Sequence, residues 1–361
     1  MPGSRSAALT AMGLVLVITA CTDGERGIGS ALPSEPMLDT DPPALAVYGL
    51  GDIGRTVPHP CRGPGYDEFD FWVGKWNVHD PTGARIATSV ISSEMDDCLV
   101  MEDFIQDNGG FQGKSINVYD RNTGTWHETF VDNVLARSFR LAGELRGAEM
   151  VMSGSQPIFN FGTQMVQQRD VTVTWTPLSG GRVRQRFQTS FDGTPALASF
   201  DGTYIPQQEL TRATPNPFPF CQTLFAEFRQ LDFWLGSWTV AAEPGPELGR
   251  SEVRSDLNGC LIQEDFETPK GYRSRSYLYF DFVVEQWFRT FADNTGAHFE
   301  LSGSLEGNAM VMTGEGTGPG GRPRPVRVTI EPAAAGGVRQ TWEDLAGQGL
   351  GGPALALVYG P

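Results

Sequence analysis

The segments SINVYD (115–120), VTVTW (171–175) and RVRQRFQTSF (182–191) alternate apolar with polar side chains or concentrate β-branched and aromatic ones. An extended chain turns successive side chains to opposite faces, so these runs predict half-buried strands. Between them the clusters DPTG, RNTG and FDG favour turns. Strand and turn alternate at about 8–12 residues, the signature of an antiparallel β-barrel. Helix is predicted only as a short lead-in before each DFW, in YDEFDFW and LFAEFRQLDFW. The fold class expected is all-β.

The pattern is written twice. DFWVGKW at 70–76 returns as DFWLGSW at 232–238, and Cys98 and Glu102-Asp103-Phe104 return as Cys260 and Glu264-Asp265-Phe266, each 162 residues later. The match continues through YDRNTGTWHETFVDN and FDFVVEQWFRTFADN, MVMSG and MVMTG, and GGRVRQ and AGGVRQ. The period is too long for a solenoid unit, so each copy should own a core. Domains are expected at 61–206 and 221–361, joined by a Pro-rich linker at 207–220. A Pro-, Gly-, Ser- and Asp-rich tether at 21–60 precedes them.

Residues 1–20 read as an export signal, with Arg5 ahead of the apolar run Ala7 to Ala20. Its end, Ile18-Thr19-Ala20-Cys21, resembles the lipobox of bacterial lipoproteins. The resemblance implies cleavage before Cys21 and lipidation of that residue, with the membrane as partner. Thr22 in place of Asp implies the periplasmic face of the outer membrane, although an Asp follows one place later at Asp23. Setting Cys21 aside, Cys61, Cys98, Cys221 and Cys260 allow three pairings, of which the repeat selects Cys61 with Cys98 and Cys221 with Cys260.

Across 361 residues the formal net charge is -16, which sets nucleic acid aside as a partner because nothing basic offsets it. No metal is expected, since no C-x-x-C occurs and the four histidines do not gather near the cysteines. G-x-S-x-G, H-E-x-x-H and the nucleotide-binding glycine patterns are absent from the sequence, and no cofactor is expected.

The ordered series FW-x-G-x-W, G-C-x-x-x-E, VRQ and D-G-x-Y resembles an uncharacterised family of bacterial domains, and Gly-x-Trp followed by a late arginine is similar to the calycin barrels. In this chain the elements are Phe71 to Trp76, Cys98 to Glu102, Val183-Arg184-Gln185 and Asp201 to Tyr204. The resemblance implies two tandem calycin-like barrels. It gives Trp76 and Trp238 to the barrel floors, with Arg184 and Arg339 stacked over them. The second copy reads LVYG where D-G-x-Y is expected, which puts its closing strand in question. A haem-binding calycin would need a histidine near the closing strand, and neither copy has one there.

Candidate ligand-binding residues recur in both copies: Trp72, Glu102, Trp126 and Asp132 in the first, Trp234, Glu264, Trp287 and Asp293 in the second. Glu102 in VMEDF is read as facing opposite to Asp103 and Phe104; in a lumen its carboxyl would need a partner and could gain a raised pKa. The Asp-Asn pairs at 132–133 and 293–294 fit turns as well as a barrel mouth. The leading expectation is a lipid-anchored envelope protein that holds a small apolar or amphipathic ligand in a lumen. Two alternatives stand beside it: an enzyme using Glu102 and Glu264 as acid or base, and a structural envelope module with protein partners.

Overall fold

A computed structural model of the chain describes residues 61–134, 138–160, 162–318, 322–346 and 354–361. The export signal, Cys21 and the tether lie outside the described residues. The first copy supplies β1 (Gly74–His79), β2 (Arg85–Glu94), β3 (Leu99–Gln106), β4 (Gln112–Asp120), β5 (Thr125–Asp132), β6 (Phe139–Arg146), β7 (Glu149–Asn160), β8 (Met165–Leu178), β9 (Arg182–Phe191) and β10 (Leu197–Pro206). The second supplies β11 (Gly236–Ala242), β12 (Glu247–Asp256), β13 (Leu261–Glu267), β14 (Arg273–Asp281), β15 (Gln286–Asp293), β16 (His298–Glu306), β17 (Ala309–Gly318), β18 (Arg322–Pro332), β19 (Val338–Asp344) and β20 (Ala354–Gly360). Each set runs up and down and closes on itself, β1 pairing with β10 and β11 with β20. Closure leaves no unpaired edge.

The second barrel closes despite its altered ending. Tyr359 stands opposite Val240 in β11, as Tyr204 stands opposite Val78 in β1. What the strand needs there is an inward tyrosine, and LVYG supplies it.

Both expected disulfides form, Cys61 to Cys98 and Cys221 to Cys260, with Cα atoms 4.9 and 5.1 Å apart. Each pins the lead-in of its barrel to the turn between the second and third strands. Loops of this length correspond to about 4 kcal/mol in the chain-entropy picture.

Short 3-10 turns, Asp70–Trp72 and Asp232–Trp234, plug one end of each barrel. Trp72 and Trp234 are fully buried. The indole of Trp76 donates to the carbonyl of Trp72 at 3.0 Å, and that of Trp238 to Trp234 at 2.9 Å. Gly74 lies under the Trp76 ring, where an added Cβ would sit 3.1 Å from the ring carbons, so the doubled Gly-x-Trp ties plug to first strand.

The barrels pack side by side through β3–β5 and β13–β15. Leu99 and Met101 alternate with inward residues on β3 yet are also buried, because the other barrel covers that outer face. A strand buried on both sides reads as a continuous apolar run. The contacts come in symmetry-like pairs. Gln112 donates to Asn258 and Arg273 to Asp96; Lys114 pairs with Asp256 and Arg275 with Glu94; Asn133 donates to Asn258 and Asn294 to Asp96. At the centre the Thr129 and Thr290 hydroxyls share a hydrogen bond of 2.7 Å. This is an isologous interface of the kind a two-fold dimer makes, here within one chain.

Candidate functional site

Barrel 1 is hollow and barrel 2 is not. The lumen of barrel 1 holds a cavity of about 730 Å³, whereas the equivalent space in barrel 2 is about 30 Å³. The first lies within the range of ligand pockets and the second has room for about one water.

The wall of the barrel 1 cavity is aromatic, with Phe104, Phe130, Phe139, Phe187 and Phe200 among the inward residues of five strands. Phe130 and Phe139 stack at 4.8 Å, and Phe187 meets Phe200 edge to face at 5.6 Å. Phe104 shares the lumenal face with Glu102, two residues before it, correcting the reading that set them opposite. Asp103 does face outward, where it accepts from Arg212 at 2.8 Å. At the mouth, Arg169 of β8 and the β14–β15 turn of barrel 2, Asp281-Phe282-Val283, complete the wall. The rim carries exposed Met165, Val166 and Leu197 on the ends of β8 and β10.

Polar groups gather at the deep end. The Ser89 hydroxyl donates to Glu102 Oε1 at 2.8 Å, and Tyr204 Oη lies 3.1 Å from the same oxygen and 2.7 Å from Gln185 Oε1. Tyr204 has one proton to give. A protonated Glu102 satisfies both contacts, donating to Tyr204 while Tyr204 donates to Gln185. Burial pushes the Glu102 pKa up to about 7, against its hydrogen-bond contacts with Ser89 and Tyr204. One row nearer the floor on β5 stands Glu128, only 1% exposed. Burial raises its pKa well above the carboxylate range and the charge of Glu102 raises it further, against a hydrogen bond from Ser115. Glu128 Oε2 has no hydrogen-bond partner among the described residues. Two acids thus share one end of an apolar lumen.

Barrel 2 resolves the same position differently. Arg289 occupies the place of Glu128, opposite Leu278 as Glu128 is opposite Asn117. Its guanidinium donates to Glu264 at 2.9 Å, to Ser276 at 2.9 and 3.1 Å and to Gln340 at 3.2 Å. It stands 5.1 Å from the ring of Trp342 and 5.6 Å from that of Trp234. Burial lowers the Arg289 pKa while the charge of Glu264 raises it. Trp342 replaces Phe187, and Leu355 and Leu357 replace Phe200 and Gly202, so bulk fills the remainder.

The structure divides the sequence-derived candidates. Glu102 and Asp132 line the cavity, and Glu264 lines its remnant in barrel 2. Trp72 and Trp126 lie in the floor, packed on Phe69 at 5.0 and 5.4 Å, and do not reach the cavity. Trp234 lies under Arg289, and Trp287 donates to Gln230 at 2.9 Å. Asp132 and Asp293 each accept from the backbone two residues on, so the turn reading holds for both. Asp293 also accepts from Tyr272, and burial, opposed by hydrogen bonds from Thr295, Ala297 and Tyr272, lifts its pKa to about 6. Arg184 and Arg339 do not stack on the floor tryptophans among the described contacts. They point outward to Asp201 and to Glu243, because Val183, Gln185, Val338 and Gln340 take the inward positions. Sequence reasoning missed Glu128, although the aligned WHETF and WFRTF segments show opposite charges at one inward position. No cluster of metal-ligating side chains occurs among the described residues.

A groove of about 1070 Å³ between the barrels is the seam of the interface, and its Arg273, Arg275, Glu94 and Asp96 are the charges already paired across it.

No family model matches the chain, and no curated protein does. Among solved structures, one from Nostoc punctiforme, described as a protein of unknown function from the DUF3598 family, matches over 82% of this chain and 98% of its own. Identity is 10% and the TM-score 0.17.

Proposed function

We propose that the protein is a lipid-anchored cell-envelope binder of a small apolar or amphipathic molecule, held in the lumen of barrel 1, with barrel 2 as a solid scaffold. One observation carries the reading: two barrels of one ancestry and one topology differ by about 700 Å³ of lumen, the difference between 730 and 30 Å³. A phenylalanine-lined cavity with a few convergent polar groups at its base has the make-up of a ligand site. The exposed apolar rim supports entry of an apolar molecule. The lipobox-like ITAC and two disulfides support an oxidising compartment and a membrane anchor.

Uptake of the neutral dye N-phenyl-1-naphthylamine tests the lumen. Saturable fluorescence at one dye per chain is expected, and its absence would end the reading. Labelling with radioactive palmitate tests the anchor, which requires incorporation that disappears in Cys21→Ser.

A second reading, acid-base catalysis, draws on Glu102 with its pKa of about 7 at the base of an open cavity. Chemical change in a bound molecule, lost in Glu102→Gln with dye uptake intact, would select it.

A further inference from the structure

We propose that the deep end of barrel 1 receives the cationic head of its ligand, a primary ammonium, amidinium or guanidinium on an apolar or aromatic body, in the place that Arg289 fills in barrel 2. This deepens the lumenal reading above and rests on it.

The argument starts from what holds Arg289. Its guanidinium is gripped by Glu264, Ser276 and Gln340 and flanked by the rings of Trp342 and Trp234. Register places Glu102, Ser115 and Gln185 at the corresponding positions of barrel 1, with Phe187 and Trp72 for the rings. Barrel 1 therefore keeps the three polar groups and an aromatic ring at each flanking position. What it lacks is the cation, since β5 offers Glu128 there.

Two further features point the same way. Glu128 is fully enclosed, and its Oε2 lacks a partner among the described residues, an arrangement that costs free energy unless something arrives to bond with it. The space above is open, and Glu102, Gln185, Phe187 and Tyr204 all border the cavity. A cation entering there would meet the Glu102 carboxyl and the Phe187 ring, as Arg289 meets Glu264 and Trp342. The groups facing Glu102 are Ser89 from β2, Ser115 from β4, Glu128 from β5, Gln185 from β9 and Tyr204 from β10. Asp132 and Arg169 stand farther toward the mouth. Among the described residues two acids and no basic side chain stand at that depth, so a cation bound there would displace at least one carboxyl proton.

The test is isothermal titration of the intact chain with three probes of one size: 4-phenylbutylamine, 4-phenylbutanol and 4-phenylbutyrate. At pH 8 the amine is expected to bind at least tenfold more tightly than the alcohol, and the carboxylate more weakly than either. Lowering the pH to 5.5 should erase most of the preference. At pH 6.5, titration in buffers of different ionisation enthalpy should show net proton release with the amine and none with the alcohol. Glu102→Gln should bring the amine and alcohol affinities of that variant within twofold of each other. The proton measurement needs no variant, so it stands even if Glu102→Gln fails to fold. Equal binding of amine and alcohol by the native chain, no proton release, or tightest binding of the carboxylate would overturn the proposal. If dye uptake persists in those cases, the lumenal reading survives. If no probe and no dye binds, both fall.

Discussion

The two barrels share strand order, disulfide, plug and a tyrosine on the closing strand, and they differ at a few inward positions, foremost the one that holds Glu128 in barrel 1 and Arg289 in barrel 2. In barrel 2 the arginine gives Glu264 a counter-charge and spans the lumen; with Trp342, Leu355 and Leu357 it leaves a solid core. In barrel 1 a shorter acid beside another acid leaves both disposed to keep their protons, with space above them. The lesson is that a lumen is opened or filled by few side chains once the backbone is closed, because the strand pairing and the buried floor are common to both barrels.

The largest expected effect comes from removing the central charge of each barrel. Arg289→Leu strands Glu264 as a buried unpaired acid and should cost about 3–5 kcal/mol. Glu128→Leu removes an acid with an unpartnered oxygen and should be neutral or stabilising. Urea unfolding of both variants at pH 7 reads the contrast directly, and equal losses would break the comparison.

Next comes pH. A carboxyl whose folded pKa is about 7, against about 4.3 unfolded, binds more protons in the native state. Its stability contribution is complete below about pH 4 and is lost as pH rises toward 7, a span of about 3 kcal/mol. Glu102→Gln should lack that loss, gaining on the native chain between pH 5 and 8 in unfolding experiments. A parallel pH profile for the two would place the charge elsewhere.

Copying the barrel 2 filling into barrel 1 sharpens the contrast further. Phe200→Leu with Gly202→Leu and Phe187→Trp should raise stability by about 1 kcal/mol and abolish dye uptake. Gly202→Leu alone should destabilise, since a Cβ there would lie 2.6 Å from the Phe200 ring. Calorimetry and dye titration of the single and triple variants separate the two effects.

The smallest effect is expected at Arg184→Ala. The side chain is 46% exposed and pairs with Asp201 at the outer surface, so the change should cost under about 1 kcal/mol in thermal unfolding. A larger loss would favour the stacked role that the resemblance implies.

Much of this architecture was legible in the sequence. Period-two runs and turn clusters specify strands, and repetition specifies two copies and their cysteine pairing. The acid at 102 was legible as well, because a Glu between strand-forming apolar residues is conspicuous. Glu128 was not, since its contrast with Arg289 appears only when WHETF and WFRTF are compared for charge at inward positions. The outward turn of Arg184 follows from plain alternation in VRQ, which the family resemblance overrode. The interface was hidden for another reason: LVMEDFIQ is apolar on its outer face as well, and one strand alone does not say what covers it.

The paired contacts around Thr129 and Thr290 carry a consequence of their own. In an assembly of two identical chains, every substitution is made twice, and an arginine that closed one lumen would close both. Joining the halves in a single polypeptide breaks that rule. It also removes any dissociation equilibrium on dilution, since the partner is always tethered. One half is free to become rigid and to lend its β14–β15 turn to the rim of the other. If barrel 1 binds as proposed, the product is a monovalent receptor with a hyperbolic saturation curve, built from a scaffold whose symmetry would otherwise dictate two sites.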